Sequence, residues 1–390
     1  MLQPPQSPEP GQTTIDRNQL SSAQLLSWVS KTLAAGEPFV VPTSGSTGSP
    51  KSVVLSAEAL RFSARAVADR LGGHGHWLVA LSPSYIGGLG VYVRSVLAGT
   101  TPVVLPEGPF RWQAFAEAAA GMRTDLPRYV SLVPTQVSRL VAQPEGLEAL
   151  RSFDRVLIGG DHLPPTLAAA LTQASVGWTH TYGMSETSGG CLHDGIALRD
   201  VQVRLDDRKT ETETQTQTRG GVGRLLLAGP MLADGYLDRP DLDALAFRRH
   251  GGERWFATSD VGRLDAAHGR WVIVGRVDDV IITGGHKVAP TAVQDALGNL
   301  PGIAEAAVVG IPDLQWGQAV AALIVPSSES ASAPLHSDPR RWVRAELRGH
   351  LPRHAIPWQV RVSDHLPRLP GGKIDYRGVK TAFLQEGGRI

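Results

Sequence analysis

The densest set of side chains able to bind an anion lies at 41–52, which reads VPTSGSTGSPKS. Its glycines allow a ligand to approach the backbone closely. Loop amides and hydroxyls can donate to phosphate oxygens, and the lysine supplies positive charge. Pro50 stands where a Walker A loop has glycine, so the loop is of another kind. A Ser/Gly-rich surface turn is the alternative for this segment alone. The candidate phosphate-binding residues are Thr43, Ser44, Gly45, Ser46, Thr47, Gly48 and Lys51.

A second segment, TYGMSET at 181–187, ends a predicted strand at a glycine and continues with hydroxyls and one carboxylate. A single glutamate beside a phosphate site suits Mg²⁺, which keeps several waters and takes one or two carboxylates. Glu186 is therefore a candidate metal ligand. The alternative is a helix start, with Ser185 as its N-cap.

Two further segments carry single charged residues in polar surroundings. Asp260 lies in TSDVGRLD, and GRVDD follows at 275–279. A carboxylate at a strand end can bind ribose hydroxyls, although a turn residue is an equal reading of Asp260 alone. Lys373 follows two glycines near the C-terminus, where a solvated tail is the alternative.

Apolar runs alternate with helical spacing through the first half of the chain, which predicts an α/β sheet covered on both faces. A helix at 22–35 is followed by strands at 38–42, 77–81, 101–105, 129–133, 155–158 and 178–182, and by helices at 57–70, 86–98, 111–121, 134–142 and 165–173. Later strands are predicted at 201–205, 223–228, 262–264, 270–274, 279–283, 304–311 and 318–325, with helices at 290–300 and 340–351. The polar stretches 206–221 and 326–337 are predicted to be loops.

Composition limits the classes of protein. The 390 residues suggest two domains, with 1–277 large and 278–390 small. There are 38 basic and 37 acidic residues, a balance that favours neither nucleic acid nor a membrane surface as partner. Cys191 is the only cysteine, so a disulfide within the chain and a cysteine zinc site are excluded, and a buried apolar role is expected. The N-terminus lacks signal-peptide features and no long apolar run occurs, which predicts a cytoplasmic protein.

Taken in this order, the four segments resemble the adenylate-forming superfamily of acyl-CoA synthetases, luciferases and peptide-synthetase adenylation domains. The resemblance covers roughly 39–379. It implies a large N-terminal domain of mixed and parallel sheets covered by helices, with a β-rich subdomain and a small α+β C-terminal domain that rotates on a hinge. It also implies ATP and CoA as co-substrates, Mg²⁺ as cofactor, and an acyl-adenylate intermediate.

The resemblance assigns roles residue by residue. The loop from Thr43 to Lys51 would close over the β- and γ-phosphates, and Glu186 would ligate Mg²⁺. Asp278 would be the hinge, and Lys373 would bridge the substrate carboxylate and the α-phosphate. The remaining assignments are Thr187 on the α-phosphate, Gly159, Gly160, Asp161, Tyr182 and Gly183 around adenine, Asp260 and Arg276 on the ribose, and Gly284 and Gly285 along the CoA tunnel.

Only about 40 residues precede the phosphate loop, fewer than in most of the superfamily. Short forms of this kind resemble the o-succinylbenzoate–CoA ligases of menaquinone biosynthesis in actinobacteria, which implies a small aromatic dicarboxylate substrate. Tyr85, Gly88 and Arg94 are candidate acyl-pocket residues. Arg94 lies on an otherwise apolar helix and needs a partner, either a second substrate carboxylate or a protein acid. The nearby glycines suit either an aromatic ring or helix packing.

Other functions are compatible with the same motifs. These are a ligase for a fatty or aryl acid, an inactive nucleotide-binding protein, and an adenylation domain serving a carrier protein. A cation beside the acyl pocket separates a dicarboxylate ligase from a fatty-acid ligase. The oligomeric state stays open, with a homodimer among the options.

Overall fold

The computed structural model describes residues 17–43, 51–206, 221–327, 337–369 and 373–385. The described residues form four sheets. Within this part of the chain, none of the helices combines the length and apolar character needed to cross a bilayer.

The largest sheet has seven strands, in the order β4-β3-β5-β6-β7-β8-β9. The first four pairings are parallel and the last two are antiparallel. Parallel order places the carboxyl ends of neighbouring strands at one edge, where ligands commonly bind in open α/β sheets. The strands are β3 (His76–Val79), β4 (Val103–Val104), β5 (Arg128–Leu132), β6 (Arg155–Gly159), β7 (Trp178–Met184), β8 (Gly189–His193) and β9 (Ile196–Ala197).

Helices cover both faces of this sheet because alternate residues of each strand enter different cores. Tyr129 and Leu157 lie in one core with α1 to α3, whereas Val130 and Ile158 lie in the other with α4 to α7. The period of two is that of a strand buried on both sides. The helices are α1 (Ser22–Ala35), α2 (Ala57–Leu71), α3 (Ile86–Ala98), α4 (Trp112–Ala120), α5 (Pro134–Val141), α6 (Pro144–Arg151) and α7 (Pro165–Gln173).

Local signals set the bounds of the helices. Ser21 caps α1 in a capping box with Gln24, and Gly36 ends the helix in the left-handed conformation. Ser56 caps α2, and Gly72 ends it in the same way. Such caps satisfy backbone groups that the helix leaves unpaired at its ends.

Two antiparallel sheets complete the large domain. A three-stranded sheet joins β1 (Phe39–Thr43), β2 (Lys51–Leu55) and β12 (Gly235–Tyr236). A five-stranded sheet has the order β10-β11-β14-β13, with β15 also paired to β14. Its strands are β10 (Gln202–Leu205), β11 (Gly223–Ala228), β13 (Phe247–His250), β14 (Glu253–Asp265) and β15 (Arg270–Arg276), and α8 (Pro240–Ala246) precedes β13.

The fourth sheet belongs to the C-terminal part of the chain. Its order is β17-β16-β19-β18, with β20 parallel to β19. Separate apolar cores lie on its two faces. The elements are β16 (Ile281–Thr283), β17 (His286–Val288), α9 (Pro290–Gly298), β18 (Ile303–Asp313), β19 (Gly317–Pro326), α10 (Pro339–Glu346), β20 (Gln359–Val362) and α11 (Tyr376–Leu384).

This architecture confirms the predicted fold class. The bounds of α3 and α7 match the prediction, and α10 is shorter than the predicted 340–351 because it ends at Glu346. Ten elements of the described residues were missed: β2, β8, β9, β12, β13, β17, β20, α6, α8 and α11. The loops predicted at 206–221 and 326–337 lie mostly outside the described residues. The domain boundary predicted at 277/278 falls in the turn between β15 and β16, and it stays a prediction.

Candidate active site

The carboxyl ends of β6 and β7 form the floor of the candidate site. Gly159 pairs with Thr181, and a side chain at Gly159 would collide with the Thr181 hydroxyl. Gly160 follows with a φ of +83°, in the left-handed region that favours glycine. Glycines here leave the backbone open to a flat ligand, which fits the predicted adenine contact. Asp161 comes next, and its Oδ1 accepts a hydrogen bond from the His162 amide.

Tyr182 connects this floor to the five-stranded sheet. Its hydroxyl donates to Asp260 Oδ2 at 2.6 Å. Burial, and then the Asp260 carboxylate, raises the Tyr182 pKa well above its ordinary value, so the hydroxyl stays protonated. Asp260 and Arg276 are register partners in β14 and β15, and the guanidinium lies 3.8 Å from Asp260 Oδ1. Three residues predicted around one nucleoside therefore contact one another. A side chain at Gly183 would collide with the Gly189 carbonyl, so this glycine is required by strand pairing.

Glu186 lies in a short 3₁₀ turn (Ser185–Thr187) after β7, and its side chain is 8% exposed. Its Oε1 accepts a hydrogen bond from the Tyr236 hydroxyl at 2.7 Å and lies 3.1 Å from Lys51 Nζ. Lys51 Nζ also donates to the Tyr236 hydroxyl at 2.9 Å. These three side chains bring together β2, β12 and the turn that follows β7.

The donor set at Glu186 fits Mg²⁺ better than a metal held by protein alone. No group of three or more His, Cys, Asp or Glu side chains converges within the described residues. Mg²⁺ commonly takes one or two carboxylates together with phosphate oxygens and waters. Glu186 Oε2 makes no hydrogen bond to a described residue and can serve as a ligand.

Thr187 is fully buried, and its hydroxyl is used within the turn. It donates to the Met184 and Gly189 carbonyls and accepts from the Met184 amide. The predicted contact between Thr187 and the α-phosphate would require these bonds to be exchanged. The assignment therefore stays a prediction, and the structure explains Thr187 as the residue that fixes the turn carrying Glu186.

Lys373 reaches the floor of the site from the C-terminal part of the chain. Its Cε lies 3.8 Å from the point where a Cβ on Gly160 would stand. The Ile374 amide donates to Asp161 Oδ2 at 3.3 Å, and His162 Nε2 lies 2.7 Å from Asp295 Oδ1 on α9. These contacts hold the two parts of the chain in the orientation that brings Lys373 to the predicted nucleotide site.

The predicted hinge and tunnel residues lie farther along the chain. Asp278 is exposed in the turn that joins β15 to β16. Gly284 and Gly285 form the two-residue turn of the β16–β17 hairpin, with φ values of +55° and +80°. Two consecutive positive φ values are typical of the tight hairpin turns that glycine favours. The hinge and tunnel roles stay predictions.

Arg94 points from α3 into the space between the helix and the sheet. Its Nη2 lies 3.4 Å from Ser131 Oγ, and its guanidinium carbon lies 4.2 Å from the Trp77 ring centroid. Burial lowers the Arg94 pKa to about 10. No Asp or Glu of the described residues forms an ion pair with it, and its Nε has no hydrogen-bond partner among them. The acid expected as one of two partners for Arg94 is therefore not found in the described part of the chain.

The other two acyl-pocket candidates lie at the start of α3. Tyr85 precedes the helix and is 40% exposed. A side chain at Gly88 would collide with the Ser82 carbonyl, which shows that this glycine permits close packing of the helix on the preceding loop. The acyl-pocket roles of Tyr85 and Gly88 stay predictions.

Two residues near the site were missed by the sequence analysis. Tyr236 stands in a plain GY pair after a turn, and nothing local links it to Glu186. His193 is 1% exposed on β8, and burial, then Arg70 and Arg94, lowers its pKa to about 3, so the ring is neutral. The order Gly-Gly-Cys-Leu-His carries no spacing that would have singled it out. Ser44, Gly45, Ser46, Thr47 and Gly48 lie outside the described residues, between Thr43 and Lys51 at the facing ends of β1 and β2.

Comparison with known proteins agrees with this geometry. The sequence profile of the AMP-binding enzyme family matches residues 13–237, and that of the AMP-binding enzyme C-terminal domain matches 292–373. The chain therefore belongs to the AMP-binding enzyme family.

Individual proteins and solved structures resemble this chain over most of its length. A Mycobacterium tuberculosis protein named "Probable 2-succinylbenzoate–CoA ligase" is 37% identical over 360 residues, which cover 89% of this chain and 85% of that protein. A feruloyl-CoA synthase of an Amycolatopsis species is 30% identical over 358 residues, covering 87% of this chain and 69% of the relative. Among solved structures, the o-succinylbenzoate–CoA synthetase of Bacillus subtilis with its acyl-adenylate intermediate has a TM-score of 0.72 at 25% identity, covering 90% and 69% of the two chains.

Proposed function

We propose that this chain is an AMP-forming carboxylate–CoA ligase, and that it converts 2-succinylbenzoate, ATP and CoA to 2-succinylbenzoyl-CoA, AMP and diphosphate in menaquinone biosynthesis. The observation that supports it most is the convergence of Lys373, Asp161 and the Gly159–Gly160 floor with the Tyr182–Asp260 pair. ATP and CoA are co-substrates found in the cytoplasm, where we place the reaction.

In the first half-reaction the substrate carboxylate attacks the α-phosphorus of ATP, and the bond to the β-phosphate breaks. Two anions must meet, so the site has to supply positive charge where charge develops. In this proposal Lys373 supplies that charge by contacting both the incoming carboxylate and the α-phosphate. Mg²⁺ bound through Glu186 would neutralise the departing diphosphate.

Asp260 and Tyr182 would hold the nucleoside during this step. The carboxylate can accept from both ribose hydroxyls, and Arg276 limits its electrostatic repulsion with the phosphates. The Tyr182 hydroxyl fixes the carboxylate, and the Tyr182 ring would stack on the adenine base. Positioning of this kind lowers the entropic part of the barrier.

In the second half-reaction the CoA thiol attacks the acyl carbon, and AMP leaves. A lysine that contacts the acyl carboxylate would occupy the place that the thiol needs, so Lys373 would have to withdraw. Rotation about Asp278, in the exposed turn between β15 and β16, would remove Lys373 and bring the hairpin with Gly284 and Gly285 towards the site. Closure and reopening about a few loop residues is a common way to separate two steps.

The surroundings of Arg94 favour a substrate acid that carries a second carboxylate. A buried guanidinium without a carboxylate partner is costly, and a substrate anion would supply that partner. The competing candidate is an aryl-acid–CoA ligase, which the 30% identical feruloyl-CoA synthase favours. An aryl monocarboxylate would leave Arg94 without an anion, so substrate preference separates the two.

A coupled assay of AMP and diphosphate release, with CoA present, tests the proposal. The acids are 2-succinylbenzoate, its ester at the succinyl carboxylate, benzoate, ferulate and a medium-chain fatty acid. We expect 2-succinylbenzoate to give the highest kcat/KM and the ester to lose most of it. If ferulate or benzoate gives the same kcat/KM as 2-succinylbenzoate, the proposed substrate is wrong. If no acid leads to release of AMP, the proposed ligase activity is wrong.

A further inference from the structure

The contact among Lys51, Tyr236 and Glu186 uses the side chain that the proposed function reserves for a metal. Lys51 Nζ and the Tyr236 hydroxyl both meet the same carboxylate oxygen, Oε1. Lys51 Nζ also lies 4.2 Å from the centroid of the Tyr236 ring. The ammonium is thus held by an ion pair, a hydrogen bond and an aromatic face.

A buried carboxylate needs compensation for its charge. The Glu186 side chain is 8% exposed, and Lys51 is the one cation that forms an ion pair with it among the described residues. Lys51 also ends the candidate phosphate loop, because it is the first residue of β2 and pairs with Thr43. When Lys51 turns to a phosphate, Glu186 loses its cation unless another one arrives.

Tyr236 is held firmly enough to stay on Glu186 during such an exchange. It pairs with Val53 in β2, and its amide donates to Asp243 Oδ1 at 2.7 Å. The Ala233 amide donates to the Glu186 carbonyl at 2.9 Å, so the same segment also fixes the turn that carries the carboxylate. The contacts that hold Tyr236 beside Glu186 therefore do not involve the Lys51 side chain.

We propose that Lys51 takes the place of the divalent cation at Glu186 until nucleotide arrives, and that Tyr236 is the positioning residue that keeps the carboxylate oriented while the two cations exchange. Metal then enters with ATP and not before it. This inference rests on the proposed function, in which Glu186 is the metal ligand.

The first test measures Mn²⁺ binding to the full-length protein without nucleotide, by the electron paramagnetic resonance signal of free Mn²⁺. Wild type should bind weakly, and Lys51→Met should bind at least tenfold more tightly because Glu186 is released. Adding Glu186→Gln to Lys51→Met should abolish the gain. Lys31→Met, which removes one exposed charge elsewhere, is the matched control and should behave as wild type.

The second test measures ATP binding by calorimetry with and without Mg²⁺. Lys51→Met should weaken binding of the magnesium complex about tenfold, opposite in sign to its effect on free metal. Tyr236→Phe should reduce the gain in ATP affinity that Mg²⁺ provides by about 10- to 100-fold, as loss of a residue that orients a metal ligand usually does. Its circular dichroism spectrum should match that of wild type. If Lys51→Met does not fold, Lys51→Gln replaces it.

Two results separate the possible failures. If Mg²⁺ does not improve ATP affinity in wild type, the metal role of Glu186 in the proposed function is wrong. If Mg²⁺ improves ATP affinity in wild type while Lys51→Met binds Mn²⁺ without nucleotide no more tightly than wild type does, Lys51 does not take the place of the divalent cation at Glu186. If Mg²⁺ improves the ATP affinity of Tyr236→Phe as much as that of wild type, Tyr236 does not position Glu186 for the metal.

Discussion

Replacing Arg94 with methionine tests whether this residue recognises substrate or supports the fold. Methionine keeps much of the side-chain length and removes the charge. Arg94 meets the Ser131 hydroxyl and the Trp77 ring but no described carboxylate. A structural arginine would normally be paired, so the two roles predict different results.

The effect on stability should be small because opposing terms nearly cancel. Burial lowers the Arg94 pKa from 12.5 to about 10, and at about 1.4 kcal/mol per pKa unit the charged form costs about 3–4 kcal/mol. Losing the contact with Trp77 costs about 1–2 kcal/mol, and losing the hydrogen bond to Ser131 costs about 1 kcal/mol. The free energy of unfolding of Arg94→Met, measured by urea titration, should therefore stay within about 2 kcal/mol of wild type.

The effect on 2-succinylbenzoate should be large. A hydrogen bond to a charged group contributes about 1.5–3 kcal/mol, so kcat/KM should fall roughly 10- to 150-fold. The KM for ATP should stay unchanged, and kcat/KM for benzoate should change less than about threefold. Arg94→Lys should recover part of the loss because it keeps the charge without the guanidinium geometry.

A different pattern would refute this reasoning. If Arg94→Met unfolds at much lower urea and loses activity equally with every acid, Arg94 is a structural residue. If the variant is stable and uses 2-succinylbenzoate as well as wild type does, the second carboxylate binds elsewhere.

The other predictions concern the nucleotide site and the cysteine. Lys373→Ala should lower acyl-adenylate formation by about 10²- to 10³-fold but leave thioester formation from pre-made acyl-adenylate largely intact, and equal loss in both half-reactions would contradict the assigned role. Tyr182→Phe should raise the KM for ATP because Asp260 loses its hydrogen-bond donor, whereas an unchanged KM in steady-state kinetics would argue against the ribose contact. Burial raises the Cys191 pKa to about 12, so the folded protein should resist iodoacetamide at pH 8 and react only in urea. Because the folded pKa lies above the ordinary value of 9.0, the Cys191 contribution to stability should be lost as pH rises from about 9 towards 12.

The sequence was a good guide to the fold where patterns are local. Helix α3 has its predicted bounds because a helical run that is apolar except at Arg94 and Ser95 ends at Gly99, which adopts a left-handed conformation. Strand β2 was missed because it begins with Lys51 and Ser52, directly after the polar loop, and its apolar part is short. Helix α6 was missed because it is only eight residues long and begins just two residues after the end of α5, so the two helices are hard to separate by pattern.

The site was predictable only to the extent that motifs mark single residues. The sequence singled out Asp260 and Tyr182, but it could not show that the two side chains would bond across two sheets. Tyr236 illustrates the limit, since its partner Glu186 is 50 residues away and their contact depends on how β12 pairs with β2. Pairing over such distances is decided by packing and not by local spacing.

The formation of an acyl-adenylate is tested most directly by exchange of labelled diphosphate into ATP in the absence of CoA. Exchange should require 2-succinylbenzoate and Mg²⁺, and its rate should fall about 10²- to 10³-fold in Lys373→Ala. Exchange without any acid, or release of ADP and phosphate in place of AMP, would contradict adenylation at the site formed by Tyr182, Glu186, Asp260 and Lys373.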